Sequence, residues 1–155
     1  MAMRIIIAAV GKFRKGPERD LFYTYLKRLH WQIDLKEIEV RGGATGPERQ
    51  KQESESLQRV IPNGAIVIAL DERGVAQSSE KLARTLANWQ NQGQSTFVFL
   101  IGGADGLGER VRKRADLLLS FGAVTWPHML VRTMLVEQIY RVGSILSGHP
   151  YHRNG

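Results

Sequence analysis

Residues 96–108 read TFVFLIGGADGLG. After Thr96 comes an unbroken apolar run of branched and aromatic side chains, which suits a strand buried on both faces of a sheet. The glycines that follow at once suit the tight loop by which such a strand hands over to a helix. Two other stretches repeat the arrangement: residues 3–10 (MRIIIAAV) before the basic loop 11–16, and residues 65–70 (AIVIAL) before Asp71, Glu72, Arg73 and Gly74. Helical segments lie between them. Pro17 opens one to about residue 29, with Leu21, Tyr25 and Leu29 on one face. Pro47 opens a strongly polar one to about residue 60, which reads as an exposed or mobile element. Ser79 caps a third over residues 80–91, a short basic one covers 109–115, and the last spans about 128–146. Residues 31–40 alternate as a half-exposed strand does. Strands alternating with helices predict an α/β fold, a mostly parallel sheet flanked by helices, in one domain over residues 1–155. Ligands of such sheets gather at the carboxyl ends of the strands, so the loops after Leu70 and Ile101 are the first candidates for a site.

Bulk composition narrows the class. With 155 residues, 43% of them hydrophobic and 24% charged, the chain is a globular domain with a real core, not a disordered or fibrous one. No apolar run approaches the roughly 18–20 residues of a membrane-crossing helix. The apolar start ends in a basic loop and not a cleavage site, so it reads as a first strand and not a leader. Cysteine is absent, which excludes disulfides, thiolate metal sites and cysteine nucleophiles, and fits a cytoplasmic location. Lys and Arg number 22 against 15 Asp and Glu, leaving +7. The excess clusters at Lys12, Arg14 and Lys15 and again at Arg110, Arg112, Lys113 and Arg114. Such patches draw in polyanions. A solvated basic surface with no partner has the same composition, so charge alone leaves both readings open.

The glycine loop matches no standard nucleotide motif. A dinucleotide turn needs a third glycine where Val111 stands, and a phosphate loop needs lysine where Glu109 stands. What remains is a loop of little bulk whose backbone can approach a ligand, or a turn that needs glycine for its own shape. The last helix is apolar almost all round. Val131, Leu135, Ile139, Val142 and Leu146 make one stripe, widened by Leu130, Met134, Val136, Tyr140 and Ile145. Such a helix needs cover on two sides. Another subunit supplies the second cover, with Gly143 allowing close helix approach, or the helix is central in a monomer. Thr133, Glu137 and Arg141 form the remaining polar strip. The tail His149, Pro150, Tyr151, His152 and Arg153 carries groups able to stack on a base and hold a phosphate, or it simply frays. No further His or Cys cluster joins its two histidines, so no metal is expected.

Taken in order, residues 100–108 (LIGGADGLG), 125–132 (TWPHMLVR), 137–141 (EQIYR) and 149–153 (HPYHR) resemble the RlmH (YbeA) family. These are SPOUT-class methyltransferases that act on 23S ribosomal RNA. The likeness extends more weakly to Val10-Gly11, residues 25–28 (YLKR) and Leu70-Asp71; Asn154 and Gly155 depart from it as two extra C-terminal residues. The resemblance implies a deep trefoil knot at the C-terminal end and a homodimer packed partly through the last helix. It implies methylation of N3 of a pseudouridine, with S-adenosylmethionine held at Leu70, Gly102, Phe121, Gly122, Ala123, Val124, Thr125 and Trp126. The partner it implies is ribosomal RNA, within the large subunit or the whole ribosome, and no membrane.

Methyl transfer leaves the protein mainly the work of positioning, while a ring N3–H needs a base to take its proton. His152 is the leading base, because an unperturbed imidazole titrates near ~6.5. Glu137 is second, Tyr151 and Arg153 complete the catalytic set, and His128 holds loop geometry. Arg132 and Arg153, with Lys12, Arg14 and Lys15, are the candidates for RNA phosphate. The rival readings are a non-catalytic RNA-binding α/β module and a SPOUT methyltransferase acting on tRNA.

Overall fold

The computed structural model describes residues 3–153, so Asn154 and Gly155 lie outside the described residues. Strands and helices alternate: β1 (Arg4–Val10), α1 (Pro17–Arg28), β2 (Gln32–Ile38), α2 (Gly46–Arg59), β3 (Ile66–Ala76), α3 (Ser79–Asn91), β4 (Thr96–Ile101), α4 (Glu109–Arg114), β5 (Leu117–Ser120) and α5 (His128–Ser147). The strands form one parallel sheet in the order β2-β1-β4-β3-β5. Because side chains alternate along a strand, the apolar runs feed two cores at once. Ile5, Ile7, Phe97, Phe99 and Ile68 face Phe22 of α1, Leu82 and Leu86 of α3, and Leu135 and Ile139 of α5. Ile6, Ala8, Val98, Leu100 and Val67 face Leu57 of α2 and Val111 of α4. Both faces are covered. That is why these strands read as continuous hydrophobic runs while β2, at the edge, alternates.

Several boundaries differ from the sequence reading. β3 does not stop at Leu70: after an irregularity it pairs again with β5, Val75 opposite Leu119 and Ala76 opposite Ser120. Gly74 makes this possible, since a Cβ there would lie 2.5 Å from the Leu118 carbonyl oxygen. The cap of α3 is Ser78, whose Oγ accepts from the Lys81 N–H at 3.1 Å. The Ser79 hydroxyl instead donates to Gln138 Oε1 at 2.6 Å. Helix α2 is not free, because Glu53, Ser54 and Leu57 are buried beneath it. Gly143 faces the indole of Trp31 within the chain, where an added Cβ would stand 3.5 Å from the ring.

Helix α5 packs on α1 and α3 through Leu135, Val136, Ile139 and Val142. Leu130, Met134 and Tyr140 are only half-buried, and Leu146 is exposed. No described helix is long and apolar enough to cross a membrane. Phe99 sits fully buried on β4 between β1 and β3. Phe99→Ala is expected to cost ~3–5 kcal/mol by loss of transfer energy and a residual cavity, measured by urea unfolding.

Candidate functional site

At the carboxyl edge of the sheet the irregular stretch 70–73 of β3 and the loops after β4 and β5 close around a cleft of about 550 Å³. Leu70, Gly102, Phe121, Gly122, Val124, Thr125 and Trp126 all line it; Ala123 is exposed beside them without lining it. Sequence stretches some fifty residues apart thus meet at one place. The loop 121–126 holds its own shape. Ser120 Oγ accepts from the Gly122 N–H at 3.1 Å, and the Trp126 indole N–H donates to the Phe121 carbonyl at 3.2 Å. Between these clasps, the main chain of residues 123–125 makes no hydrogen bond with other described residues. Unpaired peptide groups beside exposed Val124 and Trp126 are what a flat, polar-edged ligand would cover.

The wall formed by the irregular stretch of β3 is charged. Arg73 donates to Asp71 through Nε and Nη2, both at 2.8 Å, and through its backbone N–H at 2.9 Å. The hydrogen bonds from Arg73 hold the Asp71 carboxyl below its ordinary value, against the opposing effect of burial. Glu72 and Asp105 also line the cleft, so carboxylates outnumber the one guanidinium there. The glycine loop is gripped from behind by α2: Gln50 Nε2 donates to the Asp105 carbonyl at 2.7 Å, and Ser54 Oγ accepts from the Gly108 N–H at 3.1 Å. Sequence reasoning missed this polar helix face because nothing in its composition marks it as inward.

His128, Pro127 and Val131 bring the start of α5 to the cleft. Burial, with Arg132 and Arg14 nearby, lowers the His128 pKa from 6.5 and keeps the ring neutral; its Nδ1 is buried without a partner. Lys12, Arg14 and Lys15 are exposed on the loop after β1, at the same edge of the sheet. Arg132, expected to hold phosphate, does not stand with them. Its side chain is fully buried. Nη2 donates to the carbonyls of Val10 at 2.9 Å and Gly11 at 2.7 Å, and Nη1 to Glu37 Oε2 at 3.4 Å. The Phe13 ring lies 5.0 Å from the guanidinium, and the Phe13 N–H also donates to Glu37 Oε2. The guanidinium is a structural cation.

The tail does not fray. The Tyr151 hydroxyl donates to Glu137 Oε1 at 2.9 Å and stands 3.1 Å from the Tyr25 hydroxyl. Glu137 Oε1 also accepts from Arg141 Nε and Nη2, at 3.1 and 2.6 Å. His152 lies between Glu80 Oε1, 2.8 Å from Nε2, and Arg141 Nη1, 3.1 Å from Nδ1. A guanidinium only donates, so Nδ1 accepts and Nε2 carries the proton toward Glu80. Burial pushes the Tyr151 hydroxyl well above its ordinary pKa, with Tyr25 and Glu137 adding to the shift. Arg153 is exposed. His152, Tyr151 and Glu137 therefore form one network, with Glu80 as an unforeseen member. That network is not at the cleft: Glu137 and Arg141 lie ~14 and ~20 Å along α5 from His128, at about 1.5 Å per residue.

The family model described as "Predicted SPOUT methyltransferase" matches residues 3–152. A protein of Rhodospirillum centenum is 56% identical over 151 residues, 97% of this chain and 99% of the relative. One of Paramagnetospirillum magneticum is 54% identical over 151 residues, with the same shares of 97% and 99%. Both are called ribosomal RNA large subunit methyltransferase H. Two solved structures described as methylase family proteins share the fold. That from Haemophilus influenzae Rd KW20 gives a TM-score of 0.53 at 8% identity, over 98% of this chain and 70% of its own. That from Neisseria gonorrhoeae gives 0.54 at 10% identity, over 95% and 93%.

Two outcomes test this geometry. Arg132→Leu strands two carbonyl acceptors, each costing ~1–3 kcal/mol, so urea unfolding is expected to show a large loss of stability. The salt slope of RNA binding by the folded variant stays as in the wild type, whereas losing a phosphate contact would reduce it by about 0.9. His128 has a folded pKa below its ordinary 6.5. Its contribution to stability is thus present above that value and lost as pH falls through it toward the depressed one. His128→Asn is expected to flatten the acid-side fall in unfolding free energy, read by urea titrations on both sides of the transition.

Proposed function

The chain belongs to the SPOUT methyltransferase family, and on that premise we propose that it transfers the methyl group of S-adenosylmethionine to N3 of a pseudouridine in 23S ribosomal RNA. The same reading makes it a cytoplasmic homodimer with a C-terminal trefoil knot, acting on the large subunit or whole ribosome. One observation carries it: Leu70, Gly102 and five residues of the loop 121–126, all but Ala123, share a single cleft.

The residues present fit the donor. Leu70, Phe121, Val124 and Trp126 offer flat and branched surface to a purine, and the free main chain of Val124 and Thr125 offers donors and acceptors to its edge. Gly102 and Gly122 let the backbone come close. Asp71, Glu72 and Asp105 against Arg73 leave the wall net negative, as a cationic ligand requires. Bound there, S-adenosylmethionine supplies an electrophilic methyl carbon on a positively charged sulfur. The chain's own task is to orient the two reactants, exclude water and remove one proton.

That proton is assigned to His152, with Glu137 as the second candidate. The tail is ~14–20 Å from its own cleft along α5, at about 1.5 Å per residue. In a two-fold dimer, antiparallel α5 helices meeting through Leu130, Met134 and Tyr140 carry each tail toward the opposite cleft. There Tyr151 and Glu137 hold the tail in place, while Arg153, Lys12, Arg14 and Lys15 hold phosphates. To accept a proton through Nδ1, His152 gives up its contact with Arg141.

Calorimetric titration with S-adenosylmethionine tests the reading first. Absence of binding, together with salt-dependent RNA binding, favours a non-catalytic RNA module. Mapping of methylated nucleotides in RNA from a deletion strain then separates ribosomal from transfer RNA as acceptor. His152→Ala is expected to slow transfer ~100-fold or more while donor affinity stays near wild type. Equal rates remove His152 from the mechanism.

A further inference from the structure

Helix α2 carries a buried carboxyl that the reaction above does not use. Glu53 is 3% exposed. Its Oε2 pairs with Arg49 Nε at 3.3 Å, while Oε1 is buried with no hydrogen-bond partner. Directly in front of it lies Gly103 of the cleft: a Cβ there would stand 3.0 and 3.2 Å from the two carboxyl oxygens. Burial raises the Glu53 carboxyl above its ordinary value; Arg49 on its own helix opposes the rise, and Asp105 on the facing loop adds to it. A buried oxygen without a partner is destabilising, so a general packing role is a poor account of it. An alanine or leucine would fill space at no such cost.

Its neighbours on the same helix face show what the face does. Gln50 Nε2 holds the Asp105 carbonyl and reaches the cleft wall itself, and Ser54 Oγ holds the Gly108 N–H. Residues three and four apart on a helix share a face, so α2 touches the glycine loop at Gly103, Asp105 and Gly108. A Cβ at Gly103 would crowd Glu53 and Val10, and one at Gly108 would stand 2.8 Å from Ser54 Oγ. Loop and helix are fitted to each other.

We propose that Glu53 is a positioning residue for the methyl donor: with Gln50 and Ser54 it braces the main chain of Gly102 and Gly103 in the shape that binds it. This rests on the donor reading above. Glu53 acts through the loop and does not touch the donor. Calorimetric titration of the purified protein with S-adenosylmethionine, paired with steady-state methylation, tests it. Glu53→Ala is expected to raise donor Kd and KM about tenfold or more, with kcat at saturating donor nearly unchanged. Glu53→Gln keeps the volume and one oxygen, so it restores most of the affinity. Donor Kd of the wild type shifts more steeply across the pH range in which this carboxyl titrates than that of Glu53→Gln, where the carboxylates of the cleft wall, Asp71, Glu72 and Asp105, remain to respond.

A folded Glu53→Ala protein with wild-type Kd overturns the proposal, as does a fall in kcat with Kd unchanged. Should Glu53→Ala fail to fold, the pH profile of Glu53→Gln decides, and a profile identical to the wild type's overturns it. Failure of the wild type to bind the donor at all overturns the donor reading and this role with it. Binding that is intact in every variant overturns this role alone.

Discussion

Arg132 enters the interior from the first turns of α5 and closes hydrogen bonds onto the carbonyls of Val10 and Gly11, where β1 ends. Withdrawing a guanidinium from water costs several kcal/mol unless every side of it is met. Here two carbonyls, the Glu37 carboxylate and the Phe13 ring meet most of it, although Nε is left without a partner. The result is a charged rivet between the sheet and the helix. Since α5 begins at His128, the rivet also sets the position of Pro127, His128 and Val131 on the cleft wall. The loop 121–126 is then strung between β5, in the sheet, and a helix that cannot slide. The side-chain clasps of Ser120 and Trp126 close only its two ends, so the main chain between them depends on this fixing.

What could be read in advance, and what could not, follows from how local each signal is. The runs of β1, β3 and β4 announce themselves because burial on both faces leaves no polar position to confuse the pattern. The cleft at the carboxyl edge follows from any such sheet. By contrast, α2 looks solvent-exposed because its inward face is Gln50, Glu53 and Ser54, polar groups that serve a loop more than fifty residues later. Arg132 misleads for the same reason. A cation in a strongly basic chain suggests phosphate, and only the packed structure reveals that its partners are carbonyls. The tail residues were legible as polar and aromatic groups but not as a network, since Glu80 joins His152 from a helix with no sequence link to it.

The chain also separates its charges. Over the whole sequence cations exceed anions by seven, yet the cleft wall carries Asp71, Glu72 and Asp105 against Arg73. None of Lys12, Arg14 and Lys15 of the β1–α1 loop lines that cleft. A polyanion and a small cationic ligand can approach one edge of the sheet without competing for the same surface, each drawn to charge of the opposite sign.

Strand order has a consequence for how the molecule comes into being. β1 lies between β2 and β4, and its register sets Arg4 opposite Thr96. The middle of the sheet therefore stays incomplete until most of the polypeptide has left the ribosome. Until then the isoleucines of β1 have only β2 beside them, an edge of unpaired amides and bare hydrocarbon open to whatever else is nearby. Closing so long a loop before any contact rewards it is slow. A newly made copy thus passes through a vulnerable interval in which chaperone shelter during synthesis matters more than the strength of the finished core.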